Sequence, residues 1–377
     1  MKLSNLWAGW TRRAMPGEAV GALGPEVPEP AVPPSVPAAS LSPGQRAWRR
    51  FNRNRIGLVS LRIVGVLLFL SIAAPLISNE HPLLARYGSK LYMPILSNPA
   101  ETEFGGDFDT ATDWLDPLIQ RRFAEPGNWA LFTLNHYSGS TINFSTKRAH
   151  PAPPSSENWL GTDDRGRDVF ARLLYGFGIG MVFAFGLTWL TTAVGLLVGA
   201  VQGYFGGWVD LGMQRFTEVW NALPQLYLLI ILAAIFTPTI LLLMGIFTLF
   251  SWITLADYVR AEFLRNRGLE FVKGARAMGL SSPRIMWRHI LPNSLTPVIT
   301  FLPFRLSEGL LLLTALDFLG LGVPGSVPSL GDLLRQGKDN LDAWWLSLPT
   351  IALLVATLLL LTFVGDSLRD AYDTRKS

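Results

Sequence analysis

Few residues in this chain have the type and spacing that covalent chemistry needs. Gly320, Gly322 and Gly325 match the G-x-G-x-x-G spacing of a dinucleotide-binding turn, but they follow an apolar run and lead into Pro and Ser instead of opening a helix after a strand. Gly337-Lys338 ends like a phosphate loop, yet Asp332 stands five residues before Gly337 and Asp339 follows Lys338, and both carboxylates would repel a phosphate. The four histidines, His81, His136, His150 and His289, are too scattered for a zinc helix, and no G-x-S-x-G nucleophile turn is present. With no cysteine, thiolate catalysis, disulfides and Cys-ligated metal are excluded. No catalytic residue, metal site or cofactor of the chain's own is expected, so function must be sought in binding.

Three groups of residues have the character for binding. The first is the segment from Phe271 to Asn293, which reads as helix, break, helix: Gly279 suits a left-handed C-terminal turn, Ser281 or Ser282 can cap the next helix, and Pro283 fits its first turn. The second helix is short and basic, with Arg284, Arg288 and His289, and is expected to end at Pro292. The second group is Arg305 and Glu308, three apart on one helical face inside an apolar run, where charged groups either pair to hold helices together or line a polar pathway. The third is Gly161, Thr162, Asp163, Gly166, Arg167 and Asp168, a turn and cap just before a long apolar run, with direct ligand contact as the alternative.

These groups must be positioned by membrane helices. Hydrophobic residues are 49% of the chain and charged residues 16%, a balance that a Gly- and Pro-rich soluble domain rarely shows. A helix needs roughly 20 mainly apolar residues to cross a bilayer. Six such runs are found, at 61–78, 176–201, 221–236, 238–258, 293–316 and 345–365, the third and fourth joined as a tight hairpin at Thr237 and Pro238. The fold expected is an all-α membrane protein of six transmembrane helices.

Sidedness follows from Lys and Arg beside the runs. Arg46, Arg49, Arg50, Arg53 and Arg55 precede the first, and Arg260, Arg265, Arg267, Lys273, Arg276, Arg284 and Arg288 lie between the fourth and fifth; both clusters are expected in the cytoplasm. An even count of spans brings the C-terminus, with Arg369, Arg375 and Lys376, to the same side. The formal charge of +4 is thus a topology signal, not a nucleic-acid footprint. Residues 1–45, Pro- and Ala-rich and without the apolar core of a cleavable signal peptide, read as a disordered cytoplasmic tail. Residues 46–78 form the basic segment and first span, 79–168 an acidic external insert compact enough to be a folded cap, and 169–377 the remaining helical core with the basic loop at 260–292.

The loop resembles the one shared by permeases of ABC importers, in which a Gly followed thirteen residues later by Leu-Pro frames a coupling helix that docks on the ATPase; Gly279 and Pro292 hold that spacing. The family's leading Glu-Ala-Ala is here Lys273-Gly274-Ala275, two departures of three. Further blocks are similar to peptide importers, second permease subunit: Trp159 to Asp163 with Gly166 to Asp168, Gly203 to Asp210, Asp317 to Gly322, and Gly365 to Asp370, although Thr374 stands where that family usually has Pro. The insert, with Pro82-Leu83-Leu84, Phe104-Gly105-Gly106, Asp116-Pro117 and Ile142-Asn143-Phe144, resembles the enlarged one of the microcin C (Yej) type. The resemblance implies the type I importer permease fold in a bacterial inner membrane, with both termini cytoplasmic. It also implies a second permease subunit, ABC ATPase subunits that carry ATP and Mg, and a periplasmic substrate-binding protein. It assigns ATPase coupling to Ala275, Gly279, Ser281, Pro283, Arg284, Trp287, Arg288, Leu291 and Pro292. A stand-alone channel or ion-coupled transporter is the competing reading; it needs no such loop.

Overall fold

The computed structural model describes residues 43–373 apart from 145 and 147. The expected tail therefore lies outside the described residues except at its end, where a correction is needed: helix α1 (Pro43–Arg53) already begins inside it. Asn54 then starts a second helix, its side chain accepting from the Gly57 amide at 3.2 Å, and α2 (Arg55–Ile72) is followed by the single turn α3 (Ala74–Ile77).

The insert adds a small sheet to what was expected to be an all-helical chain. Strands β1 (Leu84–Tyr87), β2 (Lys90–Tyr92) and β3 (Trp129–Leu131) pair antiparallel in the order β2-β1-β3, with Ala85 opposite both Tyr92 and Ala130. Helix α4 (Pro117–Phe123), capped by Asp116, closes over it. Phe104, Trp114 and Ile119 are buried there, and the Phe104 ring meets those of Tyr92, Trp114 and Phe123 edge-on at 5.1 Å each. These aromatics give about ninety residues a core of their own, which explains why so polar a segment is ordered.

The remaining helices are α5 (Val169–Phe205), α6 (Gly207–Asn221), α7 (Gln225–Ile235), α8 (Ile240–Ser251), α9 (Ile253–Asn266), α10 (Glu270–Ala277), α11 (Ser282–Ile285), α12 (Leu291–Phe318), α13 (Leu330–Asp339) and α14 (Trp344–Tyr372). Among the described residues, four helices are long and apolar enough to cross a membrane: α2, α5, residues Ser282–Phe318, and α14. The bent pair α8 and α9, turning by 41° at Trp252, makes a fifth. The third expected run differs: Pro224 and Pro238 bound it, and α7 has 11 residues, or about 17 Å of rise, short of the roughly 30 Å hydrocarbon layer. The two termini of the described chain adjoin, since Phe51 of α1 packs on Val364 and Ala371 of α14 and Arg50 donates to the Asp373 carbonyl at 3.1 Å.

Helices α5 and α9 share the most extensive contact of any helix pair in the described residues. Gly195, Gly199 and Gly203 step by four along α5 and face Trp252, Ala256 and Arg260, which step by four along α9. A Cβ added at these glycines would lie 2.9, 2.4 and 2.6 Å from the three facing carbonyl oxygens. Between membrane helices, where apolar burial gives no preference for protein over lipid, such backbone approach supplies the dispersion contact that holds a pair together. Gly199→Ala should therefore force α5 and α9 apart and destabilise by about 1–3 kcal/mol. Gly245→Ala, where an added Cβ meets nothing within 4 Å, should be neutral or mildly stabilising. Thermal unfolding in detergent, read by size-exclusion retention, would show the first variant melting lower and the second unchanged or higher; equal melting of both would refute the role of the stripe.

Candidate functional site

At the end of the helices away from the insert, α10 is closed by a left-handed turn. Gly279 has φ of 77°, its amide donates to the Arg276 carbonyl at 3.0 Å, and the Leu280 amide donates to Ala275 at 3.2 Å. Those two bonds satisfy the last carbonyls of α10 in the Schellman arrangement, with Leu280 folded onto the core as its apolar contact. Nothing lies within 4 Å of where a Gly279 Cβ would stand, so the backbone conformation alone demands glycine. Ser281 takes the capping position of α11, but its hydroxyl makes no capping bond. Pro283 at the second helical position has no amide proton, so of the two amides a capping serine can accept from only that of Arg284 remains.

The short helix was expected to end at Pro292, and it does not. Residues Met286–Ile290 widen into a π-turn, the Leu291 amide reaches back to the Met286 carbonyl, and α12 continues without a break. The wider turn keeps the Pro292 ring clear of the preceding carbonyls, and Asn293 Nδ2 donates to the His289 carbonyl at 3.0 Å while Ser294 Oγ donates to that of Ile290 at 3.1 Å. Residues Ser282–Phe318 thereby form one 37-residue helix.

Ile285, Met286 and Ile290 are buried with Val272 and Ala275 against Tyr204 of α5 and Val259 and Phe263 of α9. Asn266 Nδ2 bonds Ser294 Oγ at 3.0 Å beneath them, and Arg276 sits 5.4 Å over the Tyr204 ring. The opposite face is open: Met278, Gly279, Ser281, Pro283, Arg284, Trp287, Arg288 and Pro292 are all exposed, Trp287 by 45%. Of the nine residues assigned to coupling, seven lie on this face, while Ala275 and Leu291 pack beneath it. Nearby, Asp210 of α6 is paired with Arg260 of α9, Oδ2 accepting from Nη2 at 2.7 Å, and that hydrogen bond holds the Asp210 carboxyl below the ordinary carboxylate range.

At the insert end, Asp163, Arg167 and Asp168 are almost fully buried. Asp168 caps α5, accepting from the Ala171 amide at 2.8 Å and from Asn135 and Asn158 at 2.9 and 2.8 Å, and burial still pushes its carboxyl up. Asp163 accepts from Arg167 Nε at 2.7 Å and stands 3.4 Å from Arg172 Nε; Arg172 Nη2 donates to Asp332 of α13 at 3.0 Å. Arg335 Nη2 and Gln336 Nε2 also donate to Asp332, at 2.6 and 2.8 Å. Burial pushes the Asp332 carboxyl up, but Arg335, Arg172 and Gln336 outweigh it and hold it low. The clasp joins the insert, α5 and α13. Sequence reasoning missed Arg172 and Asp332, although an arginine in the first turn of an apolar helix is itself a signal that a buried anion must face it.

Between these ends, Arg305 Nη2 donates to the Ser251 carbonyl at the joint of α8 and α9, and Arg305 Nη1 lies 3.9 Å from Glu308 Oε2. Both charged groups border a cavity of about 140 Å³ together with Thr188, Thr191 and Gly309.

Comparison with known proteins supplies the family. Residues 178–377 match the model described as binding-protein-dependent transport system inner membrane component, and residues 42–94 match the N-terminal TM domain of oligopeptide transport permease C. The chain is 45% identical over 338 residues to the inner membrane ABC transporter permease protein YejE of Escherichia coli K12, covering 89% of this chain and 99% of that protein. It is 42% identical over 357 residues to the peptidoglycan transport system permease protein YejE of Agrobacterium fabrum, covering 88% and 93%. It is 26% identical to the dipeptide transport system permease protein DppC of Alkalihalophilus pseudofirmus, covering 92% and 95%.

Two outcomes test the clasp. Asp163→Asn leaves two buried guanidinium groups short of an anion and should cost about 3–5 kcal/mol, read as a lowered melting temperature. Asp332, titrating below its unfolded value, contributes stability in full above about pH 4 and loses it as pH falls through its lower folded value. Asp332→Asn should melt lower than the parent at pH 7, and the gap should shrink below pH 4; a constant gap would contradict the assignment.

Proposed function

The chain belongs to the family of binding-protein-dependent transport system inner membrane components, and from that premise we propose that it is one of two permease subunits forming an ATP-driven import pathway for peptides or peptide-like compounds. The observation that carries the mechanism is the open basic face at Gly279 to Pro292, built on a buried cluster and continuous with a membrane-length helix. A separate ATPase subunit, binding ATP and Mg, would receive Arg284, Trp287 and Arg288. Because differential affinity for two states is all that shifts a conformational equilibrium, an ATPase that grips this face differently before and after ATP binding moves the pathway. The π-turn makes the transmission direct: displacement of Trp287 displaces one end of the helix that carries Arg305 and Glu308.

In this reading the loop lies in the bacterial cytoplasm, along with both termini, and the insert faces the periplasm, where it would meet a substrate-binding protein. The Lys and Arg distribution supports that orientation. So does the packing of α1 on the end of α14, which keeps the two basic termini on one side. Helix α7, too short to cross alone, packs through Leu229 on Leu243, Met244 and Phe247 of α8. A face with Trp287 and Arg288 would also suit lipid headgroups, and that alternative is an outcome of the first test below.

Replacing Gly279 with Val puts a β-branched residue at positive φ, a strain of about 1–3 kcal/mol at the docking turn. Membrane insertion and pairing with the second permease should survive, while substrate-stimulated ATP hydrolysis and uptake fall together. Parental uptake by an assembled Gly279→Val complex would leave the headgroup reading in its place. Sidedness is tested separately. The chain has no cysteine, so Asp109→Cys and Met278→Cys each present a single thiol at an exposed position. On intact spheroplasts a membrane-impermeant thiol reagent should label the first only, and labelling of the second alone would invert the topology.

A further inference from the structure

The cavity beside Arg305 has the makings of a ligand site. It lies where the middle of α5, the joint of α8 and α9, and the middle of α12 come together, and discontinuous helices meeting at mid-depth are how transporters expose backbone and charge to substrate. Arg305 is 13% exposed and anchored to the Ser251 carbonyl, while its Nη1 faces Glu308 at 3.9 Å, beyond hydrogen-bonding range. Glu308 is 72% exposed, a carboxylate standing open halfway along a membrane-length helix. In hydrocarbon such a group is costly, so a polar partner must reach it. Thr188 adds a second signal: its hydroxyl is buried at the cavity and bonds to no other group of the protein. An unpaired buried hydroxyl is unfavourable unless a ligand or water completes it.

The cavity therefore presents an accepting carboxylate at its mouth and two donors, guanidinium and hydroxyl, within. That is the complement of an ammonium group followed closely by a carbonyl oxygen. We propose that this cavity receives the free amino-terminal residue of a peptide in transit, its ammonium on Glu308 and its first carbonyl on Arg305 and Thr188. The proposal rests on the importer reading and names the chemistry that the pathway recognises. Arg305, held by Ser251, stands beside Glu308 and balances its charge, so the empty site is neutral overall. Binding would add one short ion pair, ammonium to Glu308, and hydrogen bonds from Arg305 and Thr188 to the carbonyl.

The test uses the whole complex, with both permeases, ATPase and binding protein, in proteoliposomes. Initial uptake is measured for trialanine, Ala-Lys-Ala and N-acetyl-trialanine by the parent, Glu308→Gln and Thr188→Val, with co-purification of the subunits as the check on assembly. Glu308→Gln should lower uptake of both free-amino peptides at least tenfold and equally, and Thr188→Val severalfold; the acetylated peptide should change less than twofold from its parental rate. Parental uptake of trialanine by Glu308→Gln would overturn the site. So would a loss confined to Ala-Lys-Ala, which would assign Glu308 to lysine side chains, or an equal loss for the acetylated peptide, which would make it structural. A parental complex that imports no peptide at all would remove the importer reading instead.

Discussion

The approach of α5 to α9 is the constraint on which the other features rest. In a membrane, apolar side chains are as well solvated by lipid as by protein, so helices stay together only where backbones come close or polar groups meet. Gly195, Gly199 and Gly203 permit that closeness over about two turns. Its consequences appear at one end and in the middle. The cluster that seats Ala275, Ile285 and Ile290 is built on Tyr204, Val259 and Phe263, at the end of this pair away from the insert. The mid-depth cavity has Thr188 on one helix and lies at the joint that starts the other. Helix α5 also carries Arg172, through which the insert and α13 are fixed.

The second organising feature is continuity from Ser282 to Phe318. A loop joined to its span by a flexible hinge would absorb displacement, whereas a π-turn satisfied by Asn293 and Ser294 transmits it. The same helix bears the exposed basic face at one end, Arg305 and Glu308 further along, and Asp317 at the other end, where its carboxylate holds Ser329 and the Val323 amide. In the proposed mechanism a force applied at Trp287 would act on Arg305, Glu308 and the loop at Asp317 through this one helix. This requires neither covalent chemistry nor a nucleotide site in the chain.

Much of this was legible in the sequence, for physical reasons that differ from place to place. The long spans are readable because apolar length is what a bilayer selects, and Gly279 is readable because the left-handed turn tolerates little else. The continuation through Pro292 was not readable, since local rules make proline a helix end and only Asn293 and Ser294 offer the repair. The third span was overestimated because hydropathy extends across Pro224, where the backbone breaks. Asp332 was weighed only as a group that repels phosphate; its partners Arg172 and Gln336 are distant in sequence or silent in pattern. The glycine stripe carried a signal in plain view, glycine at every fourth position of an apolar run. Spacing puts Glu308 on the helical face of Arg305, but its exposure depends on how α12 rotates against α5, which spacing alone does not determine.

In the proposed mechanism the face around Trp287 seats in a separate ATPase subunit. A photo-cross-linking amino acid placed at Trp287, which is 45% exposed and outside the buried cluster, can report its neighbour directly in cells that express the intact complex. An adduct with the ATPase subunit is expected, its yield changing when ATP is held unhydrolysed. Adducts with lipid alone, in a complex that still imports substrate, would contradict that mechanism.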